Sequence, residues 1–319
     1  MYKRQGKGIT GTKLTGGDNV GVGYRAGYSL RGTATRNTIV GYTAADALTT
    51  GDQNTVMGYD ALGAGQASFY NTAFGTGALR ADTTGRNSVA VGISALYSQN
   101  TTGSADMHNT AVGSGAGFSV STGYQSTYIG ALAGYFATTA DTTTFIGFKA
   151  GQGIDGAKLT GNNNVAVGAN AGLLLQGAAE LNTYIGTSAG AASTTVANNT
   201  AVGAFAFDAG TGADNTAVGS GALGGASNSA ANNVAVGKDA GNSLSSGANN
   251  TFLGSLAGDG TDDGAKNVAV GTSSLSANCG DKNTAVGYAA GFAITGTTNT
   301  TVGHEAGKGI SSGGYNTAV

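Results

Sequence analysis

Side chains suited to chemistry are few in this chain and far apart. His108 and His304 are the only histidines and lie about eleven repeats from each other, so they cannot share a site within one chain. An imidazole base works only within hydrogen-bond reach of the proton it takes. Cys279 is the one cysteine, which excludes an intrachain disulfide and a thiolate cluster and reads as a tolerated loop residue. Asp18, Asp52, Asp214, Asp262 and Asp263 fall at irregular places, whereas a calcium-binding roll needs an acid at a fixed place in each repeat. Only the loop at 259–263 gathers acids closely enough for a lone ion. No catalytic, cofactor or metal site is expected, and the chain does not read as an enzyme. The aromatic residues are more regular. Tyr24, Tyr42 and Tyr59 follow the same glycine in three successive repeats, and Phe118 and Tyr135 share another position. Rings stacked at about 4.8 Å suit sugar faces, but such ladders also pack on each other. Packing is their expected role.

A repeat positions all of these residues. The phrase Asn215-Thr216-Ala217-Val218-Gly219 returns eighteen times, with closing glycines from Gly23 to Gly303 spaced by 16 to 21 residues, most often 17. Three residues beyond each glycine stands a small residue, Ala in every copy except Ser274. A period near 17 means one supersecondary unit stacked on copies of itself. The expectation is an all-β parallel solenoid, or β-roll, forming one domain over 1–319. Each coil is expected to hold two or three short strands, with the slips and the four-residue insertions before Gly113 and Gly168 in loops. Coils rising by the inter-strand spacing make a rod of roughly 85 Å. Residues 6–23 match 151–168, and Val319 stands where a glycine should follow, so the chain reads as cut within a coil at both ends.

Strand alternation assigns faces. The fourth position of the phrase is apolar in every copy: Val22, Val40, Met57, Phe74, Val91, Val112, Ile129, Ile146, Val167, Ile185, Val202, Val218, Val236, Leu253, Val270, Val286 and Val302, then Val319. It is expected to form the inward core ladder, together with the Thr or Val at the second position. The third position is then outward. Ile39, Val56, Ala73, Ala90, Ala111, Tyr128, Phe145, Tyr184 and Phe252 occupy it, with no charge in any copy, and read as an inter-chain stripe. The first position is Asn in fifteen copies, with Ser88, Ser126 and Thr143 as exceptions, and predicts a ladder of Asn corners. A regular Thr would suit an ice-binding face, but on this parity it points inward.

Composition narrows the partners. Fifteen basic and seventeen acidic residues nearly cancel, so no field attracts nucleic acid or an anionic membrane. The one basic cluster, Lys3, Arg4, Lys7 and Lys13, reads as a solvated end. No run of about twenty apolar residues would insert in a membrane, and no apolar stretch of a secretory signal follows Met1-Tyr2-Lys3-Arg4. With 59 glycines and no proline the chain has a disorder-prone composition, but its apolar residues keep strict phase, which disorder does not require. Gly117 and its neighbours lack the strand-to-helix setting of a phosphate loop. Val-Gly-x-x-Ala-Gly resembles one hexapeptide of the left-handed β-helix acyltransferases, but only one per coil fits.

Ser88-Val89-Ala90-Val91-Gly92 resembles the repeat of YadA-like trimeric autotransporter heads, which are parallel β-rolls with shorter coils. Asn283-Thr284-Ala285-Val286-Gly287-Tyr288-Ala289-Ala290-Gly291 is closer to the glycine-rich repeats of phage tail fibres. The resemblance spans practically the whole chain. It implies a homotrimer, in which each chain's partners are two further copies of itself. It also implies a virion fibre that attaches to a host-surface glycan or protein, or, as the alternative, a bacterial surface adhesin or extracellular filament.

Overall fold

The computed structural model describes residues 16–101, 105–225 and 228–319. The basic cluster at Lys3, Arg4, Lys7 and Lys13, and the start of the expected opening coil, lie outside them. Contacts divide the chain into two compact units, Met1–Asn163 and Asn164–Val319. Both are built from the same coil, and the fold is an all-β parallel solenoid with turns of about 17 residues.

Among the described residues, eighteen strands run from Val20–Val22 to Thr317–Ala318, all of three residues but the last. In the first unit Thr38, Thr55 and Thr72 pair in parallel register, as do Ile39, Val56 and Ala73. In the second, Thr200 pairs with Thr216 and Val202 with Val218. Among the described residues each coil therefore carries one strand, where two or three were expected. The rest of the coil is turn, joined at places by single bridges such as Phe69–Arg86 and Glu180–Ala197.

The turns are hydrogen-bonded between coils too. The second and fourth residues after each closing glycine have positive φ, for example Asp60 (54°) and Leu62 (50°). Left-handed backbone costs a non-glycine residue about 1–2 kcal/mol. Here it aims the N–H at the neighbouring coil: Leu62 N donates to Ala78 O at 2.9 Å and Leu79 N to Ala95 O at 3.0 Å. The closing glycine is required twice over. Gly41 has φ 142°, and a β-carbon on it would overlap the carbonyl oxygen of Gly58 in the next coil.

The core reverses the expected parity. Ile39, Val56, Ala73, Ala90, Ala111, Tyr128, Phe145, Tyr184 and Phe252, expected on the outside, are buried. The expected core ladder lies outside: Val22, Val40, Met57, Phe74, Val91, Val112, Ile129, Ile146, Val167, Ile185, Val202, Val218, Val236, Leu253, Val270, Val286 and Val302 are half-buried or exposed, none buried. The reason is the Asn at the first position. It is buried in coil after coil, and alternation then carries the third position inward and the second and fourth outward. The small residue after the glycine is inside as expected, at Ala61, Ala78, Ala95, Ala116 and Ser274.

Volume is balanced between two core positions. Where the third position is aromatic, the fourth residue after the closing glycine is also glycine: Gly134 with Tyr128, Gly151 with Phe145, Gly190 with Tyr184, Gly258 with Phe252. The preceding coil yields as well, since a β-carbon on Gly241 would stand 2.7 Å from the Phe252 ring and one on Gly117 2.9 Å from Tyr128. Where the third position is Ala73, Ala90, Ala217 or Ala269, the space is filled by buried Leu79, Leu96, Leu223 or Leu275. In other coils both positions are small, Ala166 with Gly172 and Ala285 with Gly291, and buried Leu175 and Ile294 take the space instead, as close packing requires.

Candidate functional site

The asparagine ladder is the internal polar spine of each unit. Asn54 Nδ2 donates to Asn37 Oδ1 at 2.9 Å and to Ser68 O at 2.8 Å, and the Asn54 backbone N–H shares the same Oδ1. In the second unit Asn299 Nδ2 donates to Asn283 Oδ1 at 3.0 Å and to Gly313 O at 3.0 Å. Most amides of the ladder are thereby satisfied, as burial demands, while Asn267 Nδ2 is buried without a partner among the described residues. The left-handed corner residue is the one before each Asn, such as Gln53 and Asn198, and not the Asn itself.

The breaks in the ladder have partners of their own. At Ser88 the missing amide is replaced by Gln99, whose Oε1 accepts from Asn109 Nδ2 at 3.0 Å. Gln99 in turn donates to Asp82 at 2.9 Å, and the Gly85 N–H reaches the same carboxyl at 2.7 Å. Burial pushes the Asp82 carboxyl above its ordinary range, against the pull of these hydrogen bonds. Thr143 replaces Asn where a buried ring needs a partner: its Oγ1 donates to the Tyr128 hydroxyl at 3.2 Å. Burial raises that phenol as well.

Outside, the second and fourth positions form two parallel columns in each unit. The Thr or Val at the second position and the apolar residue at the fourth, both expected inside, face away from the core. Phe74 is 49% exposed, Leu253 47% and Met57 40%. No copy carries a charge at either position. This face is uncharged, in strict register, and apolar along one edge.

The aromatic ladder packs on itself. Tyr24 and Tyr42 stack with centroids 4.9 Å apart, and Tyr42 and Tyr59 at 5.7 Å, so most ring faces cover one another. Phe118 stacks on Tyr135 at 4.7 Å and on Tyr97 at 5.0 Å. The two histidines are not brought together, and His304 stacks on Tyr288 at 5.2 Å. Cys279, expected in a loop, is buried against the Thr261 hydroxyl at 3.2 Å, and burial raises its thiol. In the loop at 259–263, Asp262 takes the Ser245 hydroxyl. Among the described residues no three His, Cys, Asp or Glu side chains gather as a metal ion needs. No described helix is long and apolar enough to cross a membrane. No protein-family model matches the chain, and no curated protein matches it.

Proposed function

We propose that the chain is a structural fibre protein, a shaft or adhesive segment of a bacteriophage tail fibre that assembles as a homotrimer and mediates host-cell attachment. The observation that carries this reading is the outward strand face. Soluble monomers rarely expose contiguous apolar patches beyond a few hundred Å², roughly 300–600 Å². A column such as Val112, Ile129 and Ile146, repeated from coil to coil, asks for cover. The cover must match an uncharged face of the same period, and copies of the chain lying parallel and in register do so. The resemblance supplies the number three and the virion as the place. A bacterial surface adhesin or extracellular filament would use the same face and differ in location. Solution mass by sedimentation equilibrium tests the assembly: three chains per particle are expected, and a stable monomer overturns it.

A second reading has one observation in its favour. The regular Thr faces outward, so parity no longer excludes an ice-binding surface. That function needs the face wet in the assembled protein. A thermal-hysteresis assay separates the two, because a buried face gives no hysteresis.

A further inference from the structure

A groove of about 450 Å³ opens on the first unit, lined by Asp60, Gly63, Ala64, Arg80, Thr83 and Asn100. That is within the span of small-ligand sites, about 300–1,000 Å³. Its origin is legible in one column. Five residues after the closing glycine, successive coils carry Asp46, Gly63, Arg80, Tyr97, Phe118 and Tyr135. Gly63 is the gap in that column. Its φ is not in the left-handed region, so no turn demands glycine there, but a β-carbon would overlap the Asp60 carboxylate. The gap leaves a floor of Gly63 and Ala64 with no side chain larger than a methyl.

The wall beside the gap is held in place. Arg80 Nε donates to the Asp60 carboxylate, and Nη1 donates to the Tyr97 hydroxyl at 2.8 Å, with the guanidinium 5.4 Å over the Tyr97 ring. Tyr97 is backed by Phe118, and Phe118 by Tyr135, as a stack of rings. Further along the coil Thr83 Oγ1 donates to Asn100 Oδ1 at 2.8 Å. The groove therefore joins a small apolar floor to a rim with a carboxylate, a guanidinium, a hydroxyl and an amide. Asp60 balances the charge of Arg80, so an anion gains little over a neutral ligand. A pyranose has the matching chemistry, with a C–H face for the floor and hydroxyls that both donate and accept for the rim. An arginine already clamped loses little freedom on binding.

We propose that this groove is a binding site for a neutral oligosaccharide, with Arg80 and Asp60 as the principal hydrogen-bonding pair. It lies apart from the Tyr24, Tyr42 and Tyr59 ladder, and it does not require the strand face to be covered. Saturation-transfer NMR on the full chain tests it, with maltohexaose, cellohexaose, mannohexaose and sialyllactose as probes. Transfer to at least one neutral hexasaccharide is expected. Gly63→Val, whose side chain displaces the Asp60 carboxylate and narrows the floor, and Arg80→Ala are each expected to weaken it about tenfold or more, while Tyr42→Ala leaves it unchanged. Thermal melts and solution mass of the same variants show that fold and assembly survive, which separates failure of the site from failure of the fibre. No transfer to any neutral probe, transfer to sialyllactose alone, or unchanged binding in both groove variants overturns the proposal.

Discussion

Gly258 and Phe252 show how single residues set the core. A β-carbon on Gly258 would overlap the Phe252 ring, so Gly258→Leu is expected to destabilise by about 1–3 kcal/mol from overpacking. Phe252→Ala is expected to cost about 3–5 kcal/mol through the cavity it leaves. The double variant should melt above either single one, because it reproduces the arrangement one coil on, Ala269 with Leu275. Thermal denaturation of the three variants checks this. Asn215 is a second case: its side chain bonds Asn199, Ala230 and the Asn233 backbone. Asn215→Ala strands buried groups at about 1–3 kcal/mol each, and chemical denaturation should register the loss. Asp82 gives a pH signature. Its folded pKa is raised, so the folded state holds the proton to higher pH than the unfolded chain does. Its contribution is greatest below the ordinary carboxylate range and is lost as pH rises through the raised value. Asp82→Asn is expected to flatten the melting temperature against pH over that window, measured from about pH 3 to pH 7.

At the scale of the coil, much was legible in the sequence and one inversion was not. Glycine spacing located the strands, and the Asn ladder, the closing glycines and the inward Ala follow from residue type alone. The inversion has a physical reason: here the position that is apolar in every copy is the outer one, so uniform apolarity does not mark burial. Inside this coil the third position varies from Ala73 to Tyr128, and every aromatic residue there is matched by a glycine four residues past the closing glycine. The pairing of aromatic residues with Gly134, Gly151, Gly190 and Gly258 was the signal that could have set the parity. The groove was invisible for another reason. It depends on residues seventeen and twenty apart, Arg80 with Tyr97 and with Asp60, meeting across coils. The corrected faces make an opposed pair of expectations. Ala217→Asp places a charge in the core and should unfold the coil, with loss of the circular-dichroism melt. Val218→Asp lies on the outer face and should keep the fold while weakening association. Equal unfolding by both would contradict the parity described above.

For the whole molecule, near-neutral charge, repeated coils and no gathered titratable groups among the described residues suit a structural role. On the proposed reading, attachment is confined to small surface features on a repeating scaffold, of which the groove beside Arg80 is the candidate. The outer strand face is uncharged in every copy and apolar throughout at the fourth position, although its residues range from Val218 to Phe74. On the proposed reading that shared character serves an interface between identical chains, in which each coil meets its own counterpart. The most direct measurement is the solution mass of the wild-type chain beside a variant with Val218→Asp and Val286→Asp. Three chains per particle for the wild type, with dissociation to folded single chains in the variant, is the expected result. A wild-type monomer that stays soluble with its apolar columns in water would contradict it.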